Sequence, residues 1–280
     1  MNVTIIGCGY VGTAVAQQWQ KQGQKQGQQQ GTVTVTTTSP SRLSQLESVA
    51  NRAVLLSGSN LAGLQTLLAD QQVVVLSVGA RDRSAYEATY LTTAKNLVTA
   101  LQTNATVQQV IYTSSYGVYG DHQGNWVTET SPLYPANRNG EILAETEQIL
   151  LSAASEQRQI CVLRLGGIYG PGRELIKIFG NVAGTTRPGD GSDVSNWVHL
   201  EDIVGAIDFA RRQRLSGIYN LVQDEPISTG ELFDQLFAKH GLPSVTWDSS
   251  QTSPRPYNAQ VSNQKLRQAG YQFQHPRLEP

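Results

Sequence analysis

Residues 3–12 read VTIIGCGYVG: a short β-branched run feeds without a break into the glycine spacing GxGxxG, and an alanine-containing helical segment follows. Strand, tight turn and helix in that order are the fingerprint of a dinucleotide-binding βα unit. Gly7 permits the turn, Gly9 lets backbone approach a pyrophosphate, and Gly12 lets the helix lie close on its strand. Tyr10 and Val11 then fall in the first helical turn, whose N–H groups face the anion. A chain that opens this way is committed to a sheet with helices packed on its faces.

The rest of the sequence continues the alternation. Apolar strands are expected at 32–38, 54–56, 73–78, 110–113 and 161–165, separated by helices at 41–49, 61–69, 84–101 and 137–154. Such an order predicts an α/β, Rossmann-type doubly wound parallel sheet. After residue 165 the pattern loosens. Residues 171–195 are rich in glycine, proline and polar side chains, and short strands near 218–221 and 245–247 alternate with helices near 200–212 and 229–240. The expected organisation is a dinucleotide-binding domain over 1–165 and, over 166–280, mainly a smaller substrate-binding lobe interleaved with the sheet.

Composition narrows the function. A net charge of −1 over 280 residues argues against a nucleic-acid surface. No stretch approaches the roughly 20 apolar residues of a membrane helix, and the first strand starts too near Met1 for a signal peptide, so a cytoplasmic protein is expected. Cys8 and Cys161 lack metal-ligand spacing and read as small buried residues, and the four scattered histidines carry no zinc signature. No metal site is expected. The tract QKQGQKQGQQQG at 20–31 has no apolar period and reads as a solvated helix end and loose connection.

GCGYVG at 7–12, YTSSYGVYG at 112–120, LRLGGIYGPGR at 163–173, WVHLEDI at 197–203 and YNLV at 219–222 together resemble the extended short-chain dehydrogenases/reductases, the NAD-dependent epimerase/dehydratase family. The chain is more closely similar to the atypical YeeZ-like branch, which also begins with GxGxxG. This resemblance implies a nicotinamide cofactor, a small polar or sugar-derived substrate, and a homodimer paired through the helices at 84–101 and 137–154. It implies further cofactor contacts at Ser77, Val78, Gly79, Gly167 and Ile168, with Ser114 beside the nicotinamide. The carbonyl-polarising hydroxyl falls on Ser115, where a donor stabilises charge developing on the substrate oxygen.

The acid/base pair departs from the family pattern. A Tyr and a Lys four residues later share a helix face in the family, the ammonium lowering the phenol's pKa. Counting back from Leu143, Ala144 and Glu145, those positions hold Asn137 and Glu141. An amide is no acid or base, and a carboxylate shifts a phenol the wrong way. Tyr116 and Tyr134 are the candidate replacements, ahead of Tyr169, which is expected to shape the substrate pocket. The Arg that commonly recognises a nucleotide diphosphate is Ser195 here; Arg173, Lys177 and Arg187 are alternative anion partners, with Asn196 a further substrate candidate. The residues after Ser115 do not carry the dehydratase Asp-Glu pair. GxGYVG also resembles UDP-glucose dehydrogenases, but Cys161 sits in an apolar strand rather than a glycine-rich segment.

Cofactor choice rests on Thr38, Ser39 and Arg42. An NAD site places a carboxylate at the end of the second strand to hold the ribose hydroxyls. This chain has none there and has Arg42 nearby, so NADP(H) is expected over NAD(H). The competing reading is a non-catalytic NADP(H)-binding redox sensor.

Overall fold

The computed structural model describes residues 1–25 and 31–279. Residues 26–30, within the glutamine-rich tract, lie outside the described residues. The chain begins with β1 (Val3–Ile6), α1 (Tyr10–Lys25), β2 (Val33–Thr37), α2 (Leu43–Glu47), β3 (Arg52–Leu55), α3 (Leu61–Leu68) and β4 (Val73–Leu76). It continues through α4 (Thr93–Gln102), β5 (Gln109–Ser115), β6 (Asp121–Val127), α5 (Arg138–Leu151), β7 (Gln159–Leu165), β8 (Gly167–Tyr169) and α6 (Leu175–Phe179). The remainder is β9 (Thr186–Pro188), β10 (Val194–Ser195), β11 (Trp197–His199), α7 (Leu200–Gln213), β12 (Gly217–Leu221), β13 (Ile227–Ser228), α8 (Thr229–Lys239), β14 (Thr246–Asp248), β15 (Asn258–Val261) and α9 (Gln264–Gln268).

Seven strands form one sheet in the order β12-β7-β5-β4-β1-β2-β3. The pairings from β3 across to β5 are parallel, and the crossovers run through helices, as expected of a doubly wound sheet. The central strand β4, Val-Val-Val-Leu, is buried at every position, because helices cover both faces of such a strand. The Val/Thr alternation of β2 would suit a strand with one wet face, yet all five residues are buried. The Thr36 hydroxyl explains part of this by accepting the Gly7 N–H at 3.1 Å. On the edge strand β3, Arg52 and Leu55 are exposed.

The chain divides into two compact units, each made of separate segments. The first comprises residues 1–114, 141–163 and 204–218, the second residues 115–140, 164–203 and 219–280. The first unit is built on a core that includes Leu64, Leu68, Val74, Leu97, Val110 and Val162. Within it the Trp19 indole donates to the buried Asp208 carboxylate at 2.9 Å, and the Gln109 amide donates to Ala210 O at 2.8 Å. The second unit has an aromatic core of Tyr169, Trp197, Phe233 and Phe237 and a separate cluster around Tyr116, Tyr119 and Val261.

Three expectations change at the level of elements. The single helix expected at 84–101 is instead a 3-10 turn (Arg83–Ala85), a π-helical stretch (Glu87–Thr92) and α4. Asp82 starts it by accepting the Ser84 and Ala85 N–H groups at 2.9 and 3.1 Å. Between residues 171 and 195, where the sequence shows only loosened pattern, Leu175 anchors the short α6 in the aromatic core. The strand β6 has no apolar signature, since most of it is exposed or half-buried, and it is defined by parallel pairing with β15.

The C-terminal segment is tied down by one buried carboxylate. Asp202, in the first turn of α7, accepts the backbone N–H groups of Gln274 at 2.7 Å and His275 at 2.9 Å. The Tyr271 hydroxyl donates to the Asp202 carbonyl at 2.8 Å, and burial holds that phenol's pKa above its ordinary value. Replacing Asp202 by Ala leaves several donors without an acceptor where water is excluded. The expected cost is on the order of 3 kcal/mol, read as a lower urea midpoint with unchanged slope.

Candidate active site

The glycines of the opening motif do different work. Gly7 has φ +89°, and a Cβ there would stand 2.7 Å from Ser77 O, so only glycine fits the turn. A Cβ on Gly12 would stand 2.7 Å from Gly7 O and 3.1 Å from Ile5 Cγ2, so glycine lets α1 lie on β1. At Gly9 a Cβ would meet no protein atom within 4 Å. No packing demand accounts for this glycine.

Gly9 lines a crevice of about 480 Å³ within the first unit. Gly7, Thr38, Ser39, Arg42, Ser77, Val78 and Gly79 also line it, each following the carboxyl end of β1, β2 or β4. This is where an open parallel sheet binds ligands. Tyr10, Val11 and Gly12 form the first turn of α1, where N–H groups lack intrahelical acceptors and favour an anion. The open space over Gly9, that helix end and the hydroxyl-rich wall suit the pyrophosphate and ribose of a dinucleotide.

Sequence reasoning missed part of the wall: Ser57, Gly58 and Ser59 after β3, Arg81 after β4, and Thr93. The strand-end rule could have found the first four. Ala88 and Thr89 come from the π-helical stretch, which no periodicity in the sequence announces. Arg42 is tethered within the crevice, its guanidinium donating to Cys8 O at 2.6 Å and to Thr13 Oγ1 at 3.3 Å. Cys8 is buried, and burial raises its thiol pKa. Ser114 donates to the buried Glu147 carboxylate at 2.6 Å.

The other candidates belong to the second unit and fall into separate groups. Ser115 caps the 3-10 turn Tyr116–Tyr119, its Oγ accepting the Gly117 N–H at 3.2 Å, which leaves the hydroxyl proton to donate. Tyr116 is buried, and burial pushes its phenol well above the ordinary value. Arg255, not singled out from the sequence, donates to Ser195 Oγ at 3.0 Å, Thr229 Oγ1 at 2.6 Å and Tyr116 Oη at 3.3 Å. Among the described residues the hydrogen-bond partners of this guanidinium are hydroxyls, and it stands beside Ser195, where the family pattern expects an Arg.

Asn196 is engaged in structure, its amide donating to Ala259 O at 2.8 Å and accepting from Val261 N at 3.0 Å. A Cβ on Gly167 would stand 2.7 Å from the Trp197 ring, so that glycine serves packing; Ile168 pairs with Val198 in the same β8–β11 ladder. Tyr169 is packed edge-on against Trp197 and His199, with its pKa pushed up to about 12 chiefly by burial. Tyr134 is 57% exposed, its ring 5.2 Å from that of His122. Arg173 and Arg187 are exposed, and Lys177 pairs with Glu174 at 2.8 Å. Asn137, expected from the resemblance to stand where the family has its Tyr, accepts the Gly140 N–H at 3.1 Å and caps α5.

The sequence matches the NAD dependent epimerase/dehydratase family over residues 3–221, and the chain belongs to that family. It is 29% identical to protein YeeZ of Escherichia coli K12, across 98% of this chain and 96% of that protein. Solved structures of similar fold include a conserved protein of unknown function from Silicibacter pomeroyi, with TM-score 0.76 and 23% identity over 99% of this chain and 94% of that one. UDP-glucuronic acid 4-epimerase from Bacillus cereus, solved with UDP-glucuronic acid and NAD, superposes with TM-score 0.78 at 18% identity over 100% and 95% of the two chains. MoeE5, solved with UDP-glucose and NAD, gives 0.77 at 20% identity over 98% and 94%.

Gly12 and Gly9 should respond differently to the same change. Gly12→Val is expected to lower the thermal midpoint sharply, because valine collides with backbone. Gly9→Val is expected to leave the midpoint near that of the original protein while abolishing the NADPH fluorescence enhancement.

Proposed function

We propose that this protein is an NAD(P)-dependent oxidoreductase of the epimerase/dehydratase type, acting on a small polar, anionic and sugar-derived substrate. The observation that carries the reading is the crevice over Gly9, where the chain keeps a glycine that its own packing does not need. Bound there, the nicotinamide nucleotide supplies hydride transfer. The UDP-sugar and NAD complexes of the similar folds support the substrate class.

NADP(H) is preferred over NAD(H), because Thr37, Thr38 and Ser39 offer hydroxyls rather than a carboxylate and Arg42 supplies a fixed positive charge. On the substrate side Ser115 polarises the reacting oxygen. Arg255 holds an anionic group of the substrate, replacing hydroxyl partners with a charge-assisted pair. Proton transfer then falls to Tyr134 or a water ahead of Tyr116, since burial shifts the Tyr116 phenol up, away from neutrality. The domain roles follow: the first unit takes the cofactor and the second the substrate. Homodimer formation through the helical segments at 84–101 and 137–154 is part of the same reading.

A second reading is a redox sensor that binds NADP(H) without turnover. Asn137 favours it, because a residue used to cap α5 occupies the position of the family's acid/base.

Arg42→Ala is expected to weaken NADP binding about tenfold or more relative to NAD, the scale of one charged hydrogen bond. Equal losses would contradict the NADP preference. Ser115→Ala is expected to lower turnover about a hundredfold with cofactor affinity retained. A screen of nucleotide sugars that yields no turnover, with NADP and NADPH still bound at different affinities, selects the sensor.

A further inference from the structure

The second unit brings together two imidazoles and a carboxylate that the sequence keeps far apart. His199 ends β11, Glu201 lies in the first turn of α7, and His275 belongs to the C-terminal segment. One donor atom from each lies within 4.8 Å of the others. The Glu201 carboxylate oxygen Oε2 stands 2.8 Å from His275 Nε2 and 3.9 Å from His199 Nδ1. Two ligand atoms each about 2.1 Å from a tetrahedral ion are about 3.4 Å apart, a value these distances bracket. The two rings are close, with centroids 3.7 Å apart.

We propose that His199, Glu201 and His275 bind one divalent transition-metal ion of the zinc class, which clips the C-terminal segment to the start of α7. The donors are held before any ion arrives. Asp202 accepts the His275 backbone N–H and fixes where that residue sits. His199 is fixed by the ladder to Tyr169 and by the edge of the Tyr169 ring. Its Nδ1 accepts the Glu201 N–H at 3.3 Å, a long contact that an ion on that nitrogen would displace.

The charge and softness of the set select the metal. Two neutral imidazoles and one carboxylate suit zinc, copper, iron or nickel, whereas magnesium and calcium favour all-oxygen sites. The positive end of α7 opposes a cation, and the carboxylates of Glu201, Asp202 and Glu279 offset it. Glu201 is 56% exposed at its side chain, so three protein ligands leave room for a fourth from solvent. His199 also lines a cavity of about 500 Å³ with Tyr169, Lys239, His240 and Glu279. That cavity is where an exchangeable ligand on the ion would lie.

The test uses the full chain without an affinity tag, stripped of metal and titrated with zinc chloride by calorimetry. One equivalent is expected, with no comparable binding of magnesium, and zinc should raise the thermal midpoint of the original protein. Affinity should fall about tenfold or more in both His275→Ala and Glu201→Gln. The second change is at an exposed side chain and keeps the test interpretable if the first perturbs folding. The proposal is overturned by the absence of saturable zinc binding, by equal binding of magnesium, or by unchanged zinc affinity in folded Glu201→Gln. It does not depend on the cofactor reading.

Discussion

The close approach of β1, its turn and α1 is the constraint on which the first unit depends. Gly7 and Gly12 stand where any side chain would meet backbone at 2.7 Å, so the helix lies tight on the strand and its N-terminus faces the crevice. The neighbouring strands add to this point rather than create it. Thr36 on β2 takes up the Gly7 N–H, and Ser77 after β4 forms the wall that Gly7 must clear. Gly9 is then free to serve something outside the protein. A carboxylate is missing from the end of β2, and Arg42, anchored on the Cys8 carbonyl, brings a fixed positive charge there.

In the second unit a guanidinium reaches Ser195 from a segment distant in the chain. Ser195 replaces a guanidinium expected from the family pattern, yet Arg255 arrives from a segment 60 residues later and bonds to that serine. A pocket that recognises an anion needs a charge at a place in space, and the sequence position that provides it is free to change. The acid/base pair has no comparable replacement in view. Asn137 caps a helix, Tyr116 is buried against Arg255, and Tyr134 is exposed. Restoring Tyr at position 137 would therefore also remove a cap, at a cost of about 1 kcal/mol.

What was legible in the sequence is what local chemistry controls. VTIIGCGYVG specified strand, turn and helix, and the apolar runs at 73–78 and 161–165 specified the buried strands observed at Val73–Leu76 and Gln159–Leu165. The crevice residues Thr38, Ser39 and Arg42 followed from the end of the second strand, and Ser77 from the family resemblance. What was not legible depends on contacts distant in the chain. The burial of the β2 threonines needs a partner on the glycine turn, and β6 exists because β15 pairs with it. Arg255 beside Ser195, and His275 beside Glu201 and His199, are products of folding that no spacing announces. Gly167 shows a demand that the sequence does not announce: beside the cofactor contact expected there, a Cβ would stand 2.7 Å from the Trp197 ring.

The central claim is that the Gly9 crevice holds a nicotinamide dinucleotide with its phosphorylated ribose toward Arg42. A crystal structure of the protein grown with NADP tests it most directly. The account predicts the pyrophosphate over Gly9 against the first turn of α1, with the 2′-phosphate in contact with the Arg42 guanidinium. Cofactor density elsewhere, or a crevice filled only by solvent at saturating NADP, would contradict it.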